Sequence, residues 1–199
     1  MAPNCVIPLW ILGVSPLANS YLTACQLKQE EPSCTPLHAY VCEHCFLVQL
    51  EEFTSPEYIF NDYAYFSSYS DTWLQHARAY TDMAVERFDL DGQSQVIEIA
   101  SNDGYLLQYF VAKGMRVLGI EPGSKCGRGR SAEGIPTVVQ FFAEAMARQL
   151  VATGPQADLL IGNNVLAHAP RLNDFVKSLK ILLHPRGGYH ARVSHILCS

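Results

Sequence analysis

The feature that most constrains the fold is a regular alternation of short apolar segments with amphipathic segments, which starts after the turn Asp91-Gly92. The apolar segments predict strands over 95–100, 116–120, 158–161 and 188–193. The amphipathic segments predict helices over 72–88, 104–113, 123–134, 142–153 and 172–183. Because strands that alternate with helices pair in parallel, the sequence predicts an α/β fold with a Rossmann-like, doubly wound, mostly parallel sheet.

The chain before this pattern has a different composition. Residues 1–55 hold five of the seven cysteines and show no helical period. They indicate a small, loop-rich module with short strands near Tyr40–Val41 and Phe46–Leu50. We therefore expect three parts: this module, a tyrosine-rich junction with the first helix over 56–90, and the alternating domain over 91–199. In the junction, Thr72 and Gln75 fit a capping box for the helix.

The charge balance and the apolar runs exclude several classes of protein. Fourteen Lys and Arg against nineteen Asp and Glu give a net charge of −5, without the basic block of a general nucleic-acid binder. The apolar run Val6–Val14 is too short to cross a bilayer, and no positively charged segment precedes it as in a secretory signal. We expect a cytoplasmic protein with a small-molecule substrate and neither a nucleic acid nor a membrane as partner.

Cys42 and Cys45 form the one C-x-x-C pair of the chain. In a cytosolic protein such a pair points to metal or redox chemistry before a disulfide. A structural zinc site needs four ligands, and this pair supplies two. The spacing favours none of the candidates for the remaining positions, which are Cys5, Cys25, Cys34, His38 and His44. A zinc site on Cys42 and Cys45 and a pair of reduced thiols both stay open.

The loop after the first strand of the alternating region, Glu98–Gly104 (EIASNDG), is the first candidate binding element. Ligands of open α/β sheets bind beyond the carboxyl ends of the strands, and small residues let a backbone approach them closely. Glu98 and Asp103 add negative charge, and the glycine triplet of a pyrophosphate loop is lacking, so the loop suits a cation better than a phosphate. The alternative interpretation, a tight turn with Asp103 as helix cap, is compatible with binding.

Two later strand ends extend the candidate site. Glu121 ends the second strand, where a carboxylate accepts hydrogen bonds from ribose hydroxyls. After the third strand, the paired amides of Asn163 and Asn164 and the apolar residues around them suit an adenine pocket. Phe141 and Phe142 are predicted to open the helix before that strand, where they either cover the base or belong to the core.

These segments resemble the class I S-adenosylmethionine-dependent methyltransferases. The segments that carry this resemblance are Glu98–Gly104, Gly119–Pro122, Gly134–Thr137 and Asn163–His168. More narrowly, the N-terminal part is similar to the zinc module and junction of the sugar C-methyltransferases of deoxysugar biosynthesis, in the segments Ser15–Leu22, Cys42–Leu50 and Tyr63–Ser70. The resemblance extends from about Ser15 to Pro185.

The resemblance implies an enzyme that methylates a carbon next to the ketone of a nucleotide-linked keto-deoxysugar, with S-adenosylmethionine as cofactor and zinc in the N-terminal module. It implies cofactor contacts from eight residues: Glu98, Ala100, Ser101, Asn102, Gly104, Glu121, Asn163 and Val165. It places Tyr65 and His168 near the reacting end of the sugar, as the candidate catalytic residues.

Two departures from the family qualify this expectation. A single Cys5 stands where the family has a first C-x-x-C pair, and the likeness ends near Pro185, before the substrate domain whose Tyr-His-Glu-His motif supplies the base. Tyr189-His190 falls in a predicted strand and does not replace that motif. We therefore expect a truncated member that binds cofactor without turnover. A non-catalytic cofactor-binding or interaction domain is the alternative, and a nicotinamide-dependent oxidoreductase is a more distant one.

Overall fold

The computed structural model describes residues 6–29, 34–60, 65–123, 134–154, 156–169 and 171–192. The chain divides into two compact units, Met1–Phe60 and Asn61–Ser199. Each unit has its own sheet, antiparallel in the first and parallel in the second. Over the described ranges, every helix is too short or too polar to cross a membrane.

The N-terminal unit is built on a three-stranded antiparallel sheet. Its strands, in spatial order, are β1 (Val6–Pro16), β2 (Cys34–Cys42) and β3 (Val48–Leu50). Two short helices complete it, α1 (Gln26–Gln29) and α2 (Pro56–Phe60).

The expectation of short strands in this unit is wrong for β1 and β2, which have 11 and 9 residues. The apolar run at the start of the chain forms β1. Its pairing with β2 shifts register between Pro8 and Trp10 and again between Ile11 and Val14, and Gly13 has a φ of +83°. Such bulges break the two-residue alternation of a strand, and this is why the pattern did not identify β1.

The C-terminal unit is organised around a five-stranded parallel sheet with the order β6-β5-β4-β7-β8. The strands are β4 (Gln95–Ile99), β5 (Arg116–Ile120), β6 (Thr137–Val138), β7 (Ala157–Asn163) and β8 (Leu183–Arg192). The helices are α3 (Asp71–Arg87), α4 (Leu107–Ala112), α5 (Glu144–Thr153) and α6 (Leu172–Leu182). The predicted α/β class with a Rossmann-like sheet is confirmed.

Two apolar layers cover the two faces of this sheet. On one face, Ala77 and Ala84 of α3 and Phe110 of α4 pack with Val96 of β4. On the other face, Ile97 and Ile99 of β4 pack with Met146 of α5. Helix α6 contributes Phe175, Leu179 and Leu182 to the same layer. Because successive strand residues point to opposite faces, Glu98 lies on the face of Val96, toward α3 and α4.

Several element boundaries differ from the sequence prediction. Helix α4 begins at Leu107, and its N-cap is Leu106 without a side-chain hydrogen bond, so Asp103 is not its cap. Helix α3 is capped by Ser70, whose Oγ accepts from the amide of Trp73, and not by the predicted Thr72 box.

Three further predictions concern segments later in the chain. Phe141 and Phe142 precede α5, which begins at Glu144, so they do not open that helix. Strand β6 was not predicted, and β8 begins at Leu183, five residues before the expected start. The predicted helix over 123–134 lies almost wholly outside the described residues.

Candidate functional site

The candidate site lies at the carboxyl ends of the central strands. From β4 the sheet continues to β5 and β6 on one side and to β7 and β8 on the other, so the strand order reverses between β4 and β7. A reversal of this kind opens the crevice in which α/β sheets bind their ligands. The segments that follow β4, β5 and β7 therefore meet at this point.

The loop after β4 is a compact turn with an unusual backbone. Ala100, Asn102 and Gly104 have φ values of +57°, +53° and +80°. The amides of Ala100 and Ser101 both donate to the carbonyl oxygen of Ile120, at 2.8 and 3.3 Å. A positive φ is uncommon for residues with a Cβ, and such conformations concentrate at functional sites because surrounding contacts must maintain them.

Ser101 fixes the contact between this loop and β5. Its side chain is buried, and its Oγ lies 2.6 Å from the position that a Cβ on Gly119 would occupy. Gly119 pairs with Glu98 in the sheet. A glycine at position 119 is thus required for the loop to pack onto the strand beside Glu98.

Glu121 follows β5 and is buried, with 7% of its surface exposed. Its Oε2 accepts from the amide of Asn102 at 2.9 Å, and its Oε1 accepts from the amide of Gly123 at 2.8 Å. Burial raises the pKa of Glu121 in spite of these two bonds, and the charge of Asp103 adds to the rise. Each carboxylate oxygen keeps a second acceptor position, which is what a ribose diol needs.

The side chain of Asn102 bonds to the junction that precedes α3. Its Oδ1 accepts from the amide of Ser67, and its Nδ2 donates to the carbonyl oxygen of Tyr65, both at 2.9 Å. Beside it, Oδ2 of Asp103 accepts from the amide of Ser68 at 3.2 Å. A cofactor contact by Asn102 therefore involves its backbone, while its side chain holds the Tyr65–Ser68 segment on the loop.

Glu98 is fully buried, and within the described part of the chain its carboxylate oxygens accept no backbone hydrogen bond, although the side-chain amide of Asn163 interacts with them. Burial raises its pKa well above the usual range, and the charges of Glu121 and Asp103 contribute to the rise. The nearby amide of Asn163 opposes the shift. That amide also donates to Oη of Tyr105 at 3.2 Å, and Tyr105 stacks on Trp73.

The loop after β7 provides the third side of the site. Asn164 is exposed with a φ of +53°, and Cγ1 of Val165 lies 3.0 Å from where a Cβ on Gly162 would be. His168 is exposed on a 3-10 turn, and its amide donates to the carbonyl oxygen of Val165. This turn also follows β7, so His168 belongs to the same edge of the sheet.

The structure thus brings most of the predicted cofactor residues to one edge, at the ends of three adjacent strands. Tyr65 joins them through its backbone, and its side chain is 54% exposed. Phe141 is half-buried and follows β6, two strands from β4, so its predicted role at the base lacks a contact to this cluster among the described residues. Its neighbour Phe142 packs edge-on against Phe175 in the core.

Sequence reasoning placed Asp103 in the binding loop but missed its contact with the junction, and it missed Tyr105 altogether. Asp103 is buried and holds the junction, and one of its oxygens, Oδ1, has no partner in the described structure. Tyr105 is buried beside Asn163. The sequence carried one usable signal, the acid directly before Gly104, and this acid was interpreted as a helix cap.

The C-x-x-C pair lies where β2 ends and has the local geometry of half a metal site. Hydrogen bonds from the backbone of Cys45 and His44 lower the pKa of the Cys42 thiol, which favours the thiolate that binds metals. The described residues contain no cluster of three or more His, Cys, Asp or Glu side chains able to hold a metal ion. Cys42 and Cys45 stay the predicted zinc ligands, and Cys5, a candidate for another, lies outside the described residues.

Comparisons with known proteins agree with both units. Residues 5–60 match a family model described as "Putative zinc binding domain" of the methyltransferases. The chain is 28% identical over 162 residues to the C-methyltransferase NovU of Streptomyces niveus, which covers 81% of this chain and 39% of NovU. The chain thus spans about two fifths of the length of this relative.

Solved structures show a similar fold. The PH0226 protein from Pyrococcus horikoshii OT3 aligns over 73% of this chain and 64% of its own, with 14% identity and a TM-score of 0.51. A methyltransferase from Thiobacillus denitrificans in complex with S-adenosyl-L-homocysteine aligns over 58% of this chain and 47% of its own, with 14% identity and a TM-score of 0.44.

The strand order 3-2-1-4-5, with an acidic loop after the first strand and a carboxylate after the second, defines a Rossmann-like domain. Together with the zinc-binding domain match and the similarity to NovU, it confirms the resemblance predicted from the sequence. The chain is similar to the class I S-adenosylmethionine-dependent methyltransferases that carry an N-terminal zinc-binding module.

Proposed function

We propose that the Asn61–Ser199 unit binds S-adenosylmethionine at the carboxyl ends of β4, β5 and β7. The observation that carries this proposal is the group of buried carboxylates at the switch point, Glu98, Asp103 and Glu121, which are 0%, 3% and 7% exposed. The ion pairs recorded for the described residues lie elsewhere, at Asp82 and Glu144. Buried carboxylates that have no basic partner within the described ranges favour a ligand that brings its own positive charge.

The individual residues support distinct parts of this cofactor. The Glu121 carboxylate, held by the amides of Asn102 and Gly123, is suited to the ribose hydroxyls. The compact loop of Ala100, Ser101 and Gly104 leaves room for close approach of the methionine part. Asn163, Asn164 and Val165 are suited to the adenine, and the half-buried Phe141 is the weaker contribution to that pocket.

The proposed reaction is C-methylation next to the ketone of a nucleotide-linked keto-deoxysugar. A base removes the α-proton, and the enolate carbon then forms a bond to the methyl group while the bond from that methyl group to sulfur breaks. The sulfur keeps the electron pair and becomes a neutral thioether. The similarity to NovU supports transfer to carbon, and Tyr65 and His168 are the proposed residues at the sugar.

Dinucleotide binding is the competing function, since a Rossmann-like sheet also serves nicotinamide cofactors. The acidic side chains of the site disfavour dinucleotide binding, because a pyrophosphate at the loop after β4 would be repelled by the charges of Asp103 and Glu121. Ala100 and Asn102 occupy loop positions with positive φ where a dinucleotide fingerprint carries glycines.

Calorimetric titration of the full chain with S-adenosylmethionine, S-adenosylhomocysteine and NAD tests the proposal. We expect both sulfur ligands to bind and NAD to bind at least tenfold more weakly. Glu121→Ala should weaken both sulfur ligands about tenfold or more, since charge-assisted hydrogen bonds contribute about 1.5–3 kcal/mol each. The surface variant Glu144→Ala is the control and should bind as the unmodified chain does. A preference for NAD would overturn the proposal.

A further inference from the structure

The buried acids of the candidate site differ in how their oxygens are satisfied. Both oxygens of Glu121 accept backbone hydrogen bonds, and one oxygen of Asp103 accepts from Ser68. The two oxygens of Glu98 have no such donor anywhere in the described structure, although Glu98 is the most deeply buried of the three. An ionised carboxylate in this position would have the side-chain amide of Asn163 as a hydrogen-bond donor but no backbone donor among the described residues, so its charge would be poorly stabilised.

Among the residues that the structure describes, the groups that act on Glu98 are neutral or negative. Tyr80 approaches from α3, Tyr105 from the turn before α4 and Asn163 from β7, while Glu121 and Asp103 approach from the two adjoining loops. Burial raises the pKa of both tyrosines, so they are neutral and supply no positive charge.

The next ring on that face belongs to β8. His190 packs edge-on against Tyr80 at 4.9 Å, and burial and the charge of Arg87 lower the pKa of His190. A neutral imidazole is therefore favoured here as well. Burial and like charges together favour the protonated form of Glu98 until a cation arrives.

We propose that Glu98 distinguishes the two charge states of the cofactor: it loses its proton when the sulfonium of S-adenosylmethionine binds and keeps it when the neutral thioether of S-adenosylhomocysteine binds. This inference rests on the proposed function. When S-adenosylmethionine binds, the O–H bond of Glu98 breaks and the proton passes to the solvent. The carboxylate then lies in the field of the sulfonium.

This arrangement has a consequence for the reaction cycle. Methyl transfer removes the positive charge from sulfur and leaves an ionised Glu98 without its partner. Glu98 must then take up a proton. Without that proton, the neutral product lies in a site with an excess of negative charge. Glu98 therefore acts as a specificity-determining residue that favours the substrate form of the cofactor over its product.

Linkage fixes the direction of the pH dependence. A ligand that releases one proton on binding gains up to tenfold in affinity for each unit of rising pH, whereas a ligand that releases none does not. The affinity ratio of S-adenosylmethionine to S-adenosylhomocysteine should therefore rise with pH. The amino and carboxyl groups of the two ligands are alike, so their own titrations largely cancel in the ratio below about pH 7, where α-amino groups are still protonated.

The experiment titrates both ligands into the full chain by calorimetry between about pH 5.5 and pH 7, in two buffers of different ionisation enthalpy. We expect S-adenosylmethionine to release close to one proton, S-adenosylhomocysteine to release close to none, and the affinity ratio to rise several-fold per pH unit. In Glu98→Gln, which mimics the protonated carboxyl, the ratio should be independent of pH. Glu144→Gln is the matched control, because Glu144 is a half-buried acid of α5 that lies outside the site, and it should behave as the unmodified chain.

The outcomes separate this inference from the proposed function. Binding of both ligands with equal proton release, or with the same pH slope in the unmodified chain and Glu98→Gln, overturns the role of Glu98 and leaves the proposed function intact. Binding of neither ligand to the unmodified chain rejects both. The proton count is measured on the unmodified chain, so it decides the matter even where Glu98→Gln does not fold.

Discussion

The backbone amide of Asn102 lies 2.9 Å from Oε2 of Glu121, and the side chain of the same Asn102 bonds to Tyr65 and Ser67. One residue thus joins the carboxylate proposed for the ribose to the segment that carries a proposed catalytic tyrosine. The link is short and polar, and it passes through a position with a φ of +53°. Through this link, a ligand that fixes Glu121 would also fix the position of the segment that contains Tyr65 and Ser67.

The Asn102 side chain should protect the amide of Ser67 from hydrogen exchange. We expect Asn102→Gly, which preserves the positive φ without strain, to speed exchange at Ser67 about five- to tenfold, since one hydrogen bond contributes about 1 kcal/mol. Hydrogen exchange read by NMR checks this. Asn164→Gly is the matched control, because Asn164 has the same φ of +53° but lies on the loop after β7. Equal exchange at Ser67 in both variants would show that the side chain does not anchor the junction.

A methyl group on Gly119 should destabilise the C-terminal unit. The Cβ of Gly119→Ala would lie 2.6 Å from Oγ of the buried Ser101, and overpacking of this kind costs about 1–3 kcal/mol of unfolding free energy. Adding Ser101→Gly should recover part of the loss, because it removes the atoms in the way. Urea denaturation measures both effects.

Gly92→Ala is the control for this substitution. The nearest atom to its Cβ position is the carbonyl oxygen of Gly114 at 3.5 Å, an ordinary contact. A Gly119→Ala variant that unfolds at the same urea concentration as Gly92→Ala would contradict the packing role assigned to Ser101.

The parallel sheet could be predicted because its signals are local. Strand β5 has the predicted bounds, Arg116–Ile120, and α6 ends one residue from the predicted end. In each case an apolar run or a helical period is bounded by turn residues, and burial in the sheet follows from that pattern. Glu98 and Glu121 could likewise be placed at the site, since each lies at or next to the end of a predicted strand.

The contacts of the site could not be predicted, because they join residues far apart in sequence. Asp103 was assigned to a helix cap on the ground that an acid precedes a helical period, but it accepts from Ser68, 35 residues away. Ala100 adopts a left-handed conformation that propensity reserves for glycine, and the bonds to Ile120 that accompany it lie on another strand. The burial of Glu98 without a backbone donor among the described residues is also a tertiary property.

The N-terminal unit should hold zinc only weakly through the residues that the structure describes. Two thiolates, from Cys42 and Cys45, form half of a tetrahedral ligand shell. We expect metal analysis after dialysis to find less than one zinc per chain. Cys42→Ser should lower the content further, whereas Ser15→Ala, a substitution in β1, should not. One tightly held zinc that is lost in Cys42→Ser would show that other side chains complete the site.

The stability of the ligand-free chain should depend on pH through Glu98. Burial and the charges of Glu121 and Asp103 raise the pKa of Glu98 in the folded state well above its value in the unfolded chain. A carboxyl shifted upward contributes stability below its unfolded pKa of about 4.3, and this contribution is lost as the pH rises toward the folded pKa. The side chain in Glu98→Gln is neutral at every pH, so this variant does not lose stability in this way. The free energy of unfolding of Glu98→Gln minus that of the unmodified chain should therefore increase between about pH 5 and pH 8, by up to about 1.4 kcal/mol per pH unit.

Urea denaturation at several pH values measures this difference without any ligand. Glu144→Gln provides the control, because Lys177 and Arg148 lower the pKa of Glu144. The contribution of Glu144 therefore changes only below its unfolded pKa of about 4.3, and the difference for this variant should stay constant between about pH 5 and pH 8. A difference for Glu98→Gln that stays constant or falls with pH would mean that Glu98 is ionised in the folded chain. In that case a positive charge must lie near it before any ligand binds, and the preference of the site for a cation would need another source.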